Sequence, residues 1–203
     1  LESTSPIDVL TAEDIRKAGV LNGELGSALQ ALLPSFNFPR QSNSGGADHV
    51  RAAQLRGLSP DQVLVLINGK RRHTSALVNT DSKTGTGNTP VDFNAIPVSA
   101  IKRIEVLRDG AGAQYGSDAV AGVINVILND APEGGAFEAS YGAHHTKVEP
   151  IDQTITDGQT GFFSAQVGDR IGDGGFFRVG LEYKQREGTN RAGFDQIPFF
   201  EEQ

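Results

Sequence analysis

The sequence predicts an α/β (α+β) unit with a small mixed sheet and short helices, followed by amphipathic antiparallel β-strands of the kind that begin a transmembrane β-barrel. Three observations carry this. Apolar, β-branched runs (VLVLI, IKRIEVL and GVINVIL) are set off by turn residues before residue 130, where two short helical patterns also occur. Beyond that point three segments alternate apolar and polar residues. Glycine, 25 of 203 residues, concentrates after residue 110, which hints at two regimes, residues 1–130 and 131–203.

Composition narrows the chemistry. Lys plus Arg total 18 against 25 Asp plus Glu, a net charge of −7, so no nucleic-acid partner is expected. The basic run Lys70 to His73 reads as a solvated hairpin end. Cysteine is absent, which removes disulfides, zinc–thiolate sites and thiol catalysis. His144 and His145 are adjacent but have no carboxylate at ligand spacing, so no metal and no cofactor is expected. The longest apolar run, VLVLI, is far short of the ~20 residues of a membrane-spanning helix. The opening LESTSPIDVL lacks the order of a signal peptide, which is either missing or trimmed.

Each element follows from local pattern. Thr11 before AEDIRKAG, with Asp14 three positions on, predicts a capped helix near 12–18. Leu25, Ala28, Leu29, Leu32 and Leu33 share one helical face, and Pro34 stops a second helix near 23–33. VRAAQLRGL suggests a strand near 50–56. VLVLI predicts a strand at 63–67 that reverses at Asn68-Gly69, with KRRH returning. The polar stretches 40–48 and 79–90 read as exposed loops. IKRIEVL predicts a strand over 103–107, with Ile101, Arg103, Glu105 and Leu107 on one side, and GVINVIL another near 123–128. Next come three alternating strands, in which Phe137, Ala139 and Tyr141, Phe163, Ala165 and Val167, and Phe177, Val179, Leu181 and Tyr183 point one way. A long polar connection joins the first to the second and GDGG the second to the third, the loop asymmetry of an outer-membrane barrel.

The segment IKRIEVLRDGAGAQYGSDAVAGVINVIL, residues 101–128, admits three readings. Gly110, Gly112 and Gly116 after a strand suggest a nucleotide-binding turn, and a soluble α/β nucleotide-binding enzyme using residues 110–116 is the alternative reading of the chain. The spacing is one residue longer than the dinucleotide fingerprint, and a strand soon follows where a long helix should begin. A plain strand–turn–strand connection is the second reading. The third takes the whole order of parts.

In that order, the helix before Pro34, LRG at 55–57, VLVLINGK, IKRIEVLRDG and YGSDAVAGVINVIL resemble the plug domain of a TonB-dependent outer-membrane receptor, with the first barrel strands after it. Asp109-Gly110 stands where the family often has Gly then Pro, and the family's energy-coupling box is not evident. A barrel wide enough to enclose a plug needs about 22 strands, so the chain reads as a piece of a longer receptor.

The resemblance implies a plug that occludes a barrel in the outer membrane of a Gram-negative bacterium. It implies help in binding an extracellular nutrient, such as an iron chelate, cobalamin or oligosaccharide, and gated uptake driven by a TonB-type energy-coupling protein of the inner membrane. No catalytic residues are expected. Ligand contacts are expected from the apical loops through Arg40, Gln41, Asn43, Asn79, Asp81, Lys83 and Asn88. Salt bridges to the barrel wall are expected from Arg56, Arg103, Glu105 and Arg108, whose other reading is exposed strand charge. Gly57, Gly69 and Gly116 are expected to serve backbone geometry through positive φ. Residues 135–203, lacking the rest of their barrel, are expected to be poorly ordered or to self-associate with another copy through their barrel strands.

Overall fold

The computed structural model describes residues 7–18, 24–39, 48–80, 85–108, 111–149 and 152–190. Two sheets dominate. The first has five strands in the order β1-β6-β7-β4-β5, namely Ile7–Thr11, Ile101–Leu107, Gly122–Leu128, Val63–Ile67 and Lys70–Arg71. Within it, β6 runs antiparallel to β1 and β7, while β7 runs parallel to β4, so the sheet is mixed. The middle strands β4 and β7 are apolar on both faces because each face is covered. One face carries the main core, including Ile15, Leu29, Leu55, Ile104 and Ile124; on the other, Leu64, Leu66, Ala119 and Val123 form a smaller cluster with Leu107 and Tyr115.

Helix α1 (Ala12–Lys17) begins where Thr11 Oγ1 accepts the Asp14 amide at 3.2 Å and the Asp14 carboxylate accepts the Thr11 amide at 2.8 Å. The hydrogen bonds from Thr11 hold the Asp14 carboxyl below its ordinary range. Helix α2 (Leu25–Leu32) buries Leu25, Ala28 and Leu29, the face read from their spacing. Gly26 sits against Phe38, whose ring would lie 2.3 Å from an added Cβ. That close approach lets Phe38 pack with Phe36 and Phe93, ring centres 6.0–6.3 Å apart.

The Asn68-Gly69 reversal is as read, with both residues at positive φ. It is also tied down. Asn68 Oδ1 accepts the Leu128 amide at 2.9 Å and the Gly69 amide donates to Asn125 Oδ1 at 3.0 Å.

Four local readings need correction. The strand expected near 50–56 shrinks to β3 (Gln54–Leu55), paired with β2 (Phe36–Asn37). Positive φ at Arg56 and Gly57 ends it, and the Arg51 amide goes to Asp92 Oδ1 instead of to a ladder. Edge strand β1 was not recognised, since its five residues alternate between exposed and half-buried and show no long apolar run. A bulge between Ile101 and Arg103 turns Ile101 away from the side shared by Arg103 and Glu105 and into the core. Residues Ala111–Tyr115 form a short helix, α3, followed by a 3₁₀ turn at Ser117–Ala119.

The second sheet is antiparallel, in the order β10-β9-β8, with β8 Gly134–Val148, β9 Gln153–Ile171 and β10 Gly175–Arg186. The expected long loop between the first two strands is mostly strand, because the alternation of HHTKV and QTITDGQT continues the ladder to the pair Val148–Gln153. At 15 and 19 residues, β8 and β9 exceed the ~9–11 that cross a bilayer. Strands β8–β10 are formed through residue 186, and one face of their sheet lies on the α/β unit. The other face exposes Phe137, Tyr141, Val167, Val179, Leu181 and Tyr183. Among the described residues no helix is long and apolar enough to cross a membrane.

Candidate functional site

The seam between the two sheets brings together groups from distant parts of the sequence. Period-two alternation puts Thr160, Phe162, Ser164 and Gln166 of β9 on the inward side. Phe162 is 6% exposed and lines a cavity of about 510 Å³ with Ile15, Leu25, Ala28, Val98 and Ile101. It is an apolar anchor on an otherwise polar face.

At the junction of the two regimes, Arg178 of β10 donates through Nη1 to Ala131 O at 2.7 Å and through Nη2 to Gln166 Oε1 at 3.0 Å. Asn129 Nδ2 reaches the same Gln166 oxygen at 3.5 Å. Lys102 donates to Asp130 at 2.6 Å, which holds the Asp130 carboxyl below its ordinary range. Higher on β10, Glu182 faces the 3₁₀ turn Val98–Ala100.

A second cleft, about 560 Å³, separates Glu24, Arg51 and the segment from Phe93 to Pro97 from Glu182, Lys184 and Arg186. Glu24 is 4% exposed at the start of α2, its Oε1 3.6 Å from Arg51 Nε and its Oε2 accepting the Ser27 hydroxyl at 2.7 Å. Buried charge demands such compensation. The Arg51 carbonyl also accepts the Phe93 amide at 3.0 Å, so this pair ties α2 to two loop-borne segments.

The charges expected at the barrel wall find partners inside the α/β unit. Arg56 donates to the carbonyls of Ala121 and Val120. Arg103 pairs with Glu105 at 2.8 Å, and Glu105 accepts from Asn125 at 3.1 Å. Arg108 pairs with Asp8 at 2.7 Å, joining the ends of β6 and β1. These contacts brace the mixed sheet. Gly57, Gly69 and Gly116 have φ of +73°, +76° and +93°.

Of the expected ligand residues, Arg40, Gln41, Asn43, Asp81 and Lys83 lie outside the described residues. Asn79 and Asn88 are 4% and 7% exposed and sit at the neck of their loop, not at its apex. The Asn79 amide donates to Asn88 O at 2.9 Å, and Asn88 Nδ2 donates to Ser59 at 3.0 Å.

The segment around residues 110–116 has a different use from phosphate binding. Arg71 of the hairpin donates to Asp118 and to Tyr115 O, fastening α3 and the following turn to β5. The Arg71 hydrogen bond, then that from Ser117, keeps the Asp118 carboxyl below its ordinary range. Asp109 and Gly110 lie outside the described residues, and α3 spans five residues before β7, which runs antiparallel to β6. A dinucleotide fold would need a long helix leading to a parallel strand.

Sequence reasoning missed Phe162, Glu182 and the Glu24–Arg51 pair. Only a phenylalanine on the polar side of β9, and a carboxylate two residues from Gly180 on β10, were available as signals. Nothing in the sequence links Glu24 to Arg51.

A small mixed-sheet unit seated on the polar face of an antiparallel sheet, whose apolar face points away, defines a lumen-filling domain beside its wall. The family model described as TonB-dependent Receptor Plug Domain matches residues 1–123, and the chain belongs to that family. It is 35% identical over 127 residues to the ferric enterobactin receptor PirA of Pseudomonas aeruginosa, covering 63% of this chain and 17% of that protein. The ferrienterobactin receptor of Escherichia coli is 30% identical over 165 residues, covering 81% and 21%. The vitamin B12 transporter BtuB of Vibrio vulnificus is 39% identical over 102 residues, covering 50% and 15%. Among solved structures, a mutant of the ferric enterobactin receptor PfeA from Pseudomonas aeruginosa superposes with a TM-score of 0.68 at 26% identity, covering 90% of this chain and 25% of that one. The siderophore receptor PirA of Acinetobacter baumannii gives 0.65 at 26% identity, covering 89% and 24%. The chain thus spans roughly a fifth of the length of these sequence relatives.

Proposed function

We propose that the chain is the plug and opening wall strands of an active importer in the outer membrane of a Gram-negative bacterium, divided near residue 130. The plug occludes the barrel lumen, helps bind an extracellular small molecule and gates its uptake when a TonB-type energy-coupling protein of the inner membrane engages it. The observation that carries this is the two-faced sheet β8–β10, with Phe162 inward on the plug and Phe137, Tyr141 and Leu181 outward and 61–75% exposed. A water-facing sheet would be stabilised by the reverse arrangement.

The relatives' names favour an iron–siderophore complex or vitamin B12 as cargo. The loops at 40–48 and 79–88 would meet it through Arg40, Gln41, Asn43, Asp81 and Lys83, with Asn79 and Asn88 holding the second loop's neck. Pairing of Arg56, Arg103, Glu105 and Arg108 with further wall strands belongs to the same proposal.

The test is radiolabelled uptake by cells lacking their own siderophore and cobalamin receptors and expressing the whole receptor that contains this chain. Uptake of one ferric siderophore or of cobalamin should appear, and should vanish when the energy-coupling protein is deleted. Uptake indifferent to that deletion would refute the gating role.

A further inference from the structure

Residues 129–133 tether the last strand of the α/β unit, β7, which ends at Leu128, to β8, which begins at Gly134. A connection with no helix or strand of its own is ordinarily loose. This one is held from both sides. On the plug side the Asn129 amide donates to Ala100 O at 2.8 Å and Lys102 pairs with Asp130 at 2.6 Å. From the wall, Arg178 of β10 donates to Ala131 O at 2.7 Å, Arg170 of β9 pairs with Glu133, and Gln166 Oε1 accepts Asn129 Nδ2 at 3.5 Å.

The Lys102–Asp130 and Arg170–Glu133 pairs are exposed, and pairs of that kind hold weakly. Arg178 is placed differently. The register sets Gly134 of β8 beside Gly168 of β9, and Gly168 beside Arg178. Arg178 lies over Gly168, its Cγ and Nη1 each 2.9 Å from where a Cβ would be, a path that any side chain at 168 would obstruct. Its guanidinium then spans Ala131 O and, at 3.0 Å, Gln166 Oε1, a charged planar fork that fixes two acceptors at once. The tether also stands far from the expected ligand loops. Ser59, which holds Asn88 at the neck of its loop, precedes β4, and β7 runs parallel to β4 before the tether leaves its far end. The seven residues of β7, about 20 Å, separate the two.

We infer that Arg178 is the positioning residue by which the wall clamps the tether, making residues 129–133 the stationary end of the plug while the rest rearranges during uptake. The inference rests on the reading of β8–β10 as barrel wall. Loss of the guanidinium frees the tether, and so does an obstacle that moves the guanidinium aside.

The test uses the whole chain in detergent, which has no native cysteine, with a nitroxide attached at Ala131→Cys and its rotation measured by electron paramagnetic resonance. Arg178→Ala should speed that rotation at least about threefold, and Gly168→Ala, which keeps the arginine but blocks its path, should do the same. The double variant should be no faster than the quicker single one, as expected for two changes acting through one contact. Arg178→Lys, which retains a charged donor, should stay within about twofold of the parent. Lys147→Ala, which breaks a wall ion pair with Asp152 at the other end of β8, should change nothing. If Arg178→Ala does not fold, Arg178→Met, which keeps a stem over Gly168 and donates nothing, takes its place. Rotation as slow as the parent's in either the Arg178 or the Gly168 variant would overturn the inference. In cells expressing the whole receptor and given radiolabelled ferric enterobactin or cobalamin, Arg178→Ala should lower the maximal uptake rate at least about threefold and leave the half-saturating concentration within about twofold, because the ligand loops lie at the other end of the sheet. A raised half-saturating concentration at an unchanged maximal rate would overturn the stationary-end role. The wall reading is checked separately by a spin label at Leu181→Cys in a bilayer, which should be reached by lipid-soluble oxygen in preference to aqueous paramagnets. Oxygen access without release of the tether would sink the clamp alone, and release without oxygen access would sink the wall reading.

Discussion

Truncating Phe162 to alanine should unseat the apolar part of the seam. The ring is 6% exposed, and it borders an existing cavity of about 510 Å³. Fully burying such a side chain contributes about 1.5–3 kcal/mol. Core Phe→Ala changes usually cost about 3–5 kcal/mol because they also leave a void. Here the void merges with one that already exists, so the added cavity cost is small and the expected loss is about 2 kcal/mol. For a chain of 203 residues that corresponds to a fall in thermal midpoint of about 4–8 °C. Circular dichroism melting in detergent measures it, with Leu181→Ala as control because Leu181 is 61% exposed on the opposite face. An unchanged midpoint for Phe162→Ala, together with a drop for Leu181→Ala, would mean that the sheet faces have been assigned the wrong way round.

Three further outcomes are expected. Gly122→Ala should destabilise by more than about 2 kcal/mol, since φ is +140° and the new Cβ would lie 2.5 Å from Leu107 O and 2.6 Å from Leu55 Cδ2; Gly112→Ala, with nothing within 4 Å, should be neutral or stabilising in chemical denaturation. Arg51→Ala removes the guanidinium 3.6 Å from the buried Glu24 carboxylate, and equilibrium unfolding should show a loss of about 3 kcal/mol. Asp118 has its folded pKa below the ordinary 3.8, so its contribution to stability is present above that value and is lost as pH falls through the folded pKa; carboxyl NMR should show a low midpoint that Arg71→Ala brings back up.

Sequence alone determined the elements whose cause is local. The Thr11–Asp14 box starts α1, the spacing of Leu25, Ala28 and Leu29 gives α2 its buried face, and Asn68-Gly69 reverses β4, because capping, helical period and turn chemistry act over a few neighbouring residues. The alternation in residues 137–183 likewise revealed a sheet with one apolar and one polar face. Tertiary structure decided whatever depends on partners far along the chain. Edge strand β1 exists because β6 lies beside it, a pairing across about a hundred residues that the short run IDVLT cannot announce. Arg56, Arg103, Glu105 and Arg108 were marked as wall partners by the family resemblance, yet a charge does not name its counter-ion. Folding gave them Val120, Ala121, Asp8, Asn125 and one another. Phe162 looks like an exception on its strand, and becomes an apolar anchor only when α1, α2 and the turn at residues 98–100 are laid against it. Local pattern sets which way a side chain points; what it meets is set by packing between segments that the sequence keeps far apart.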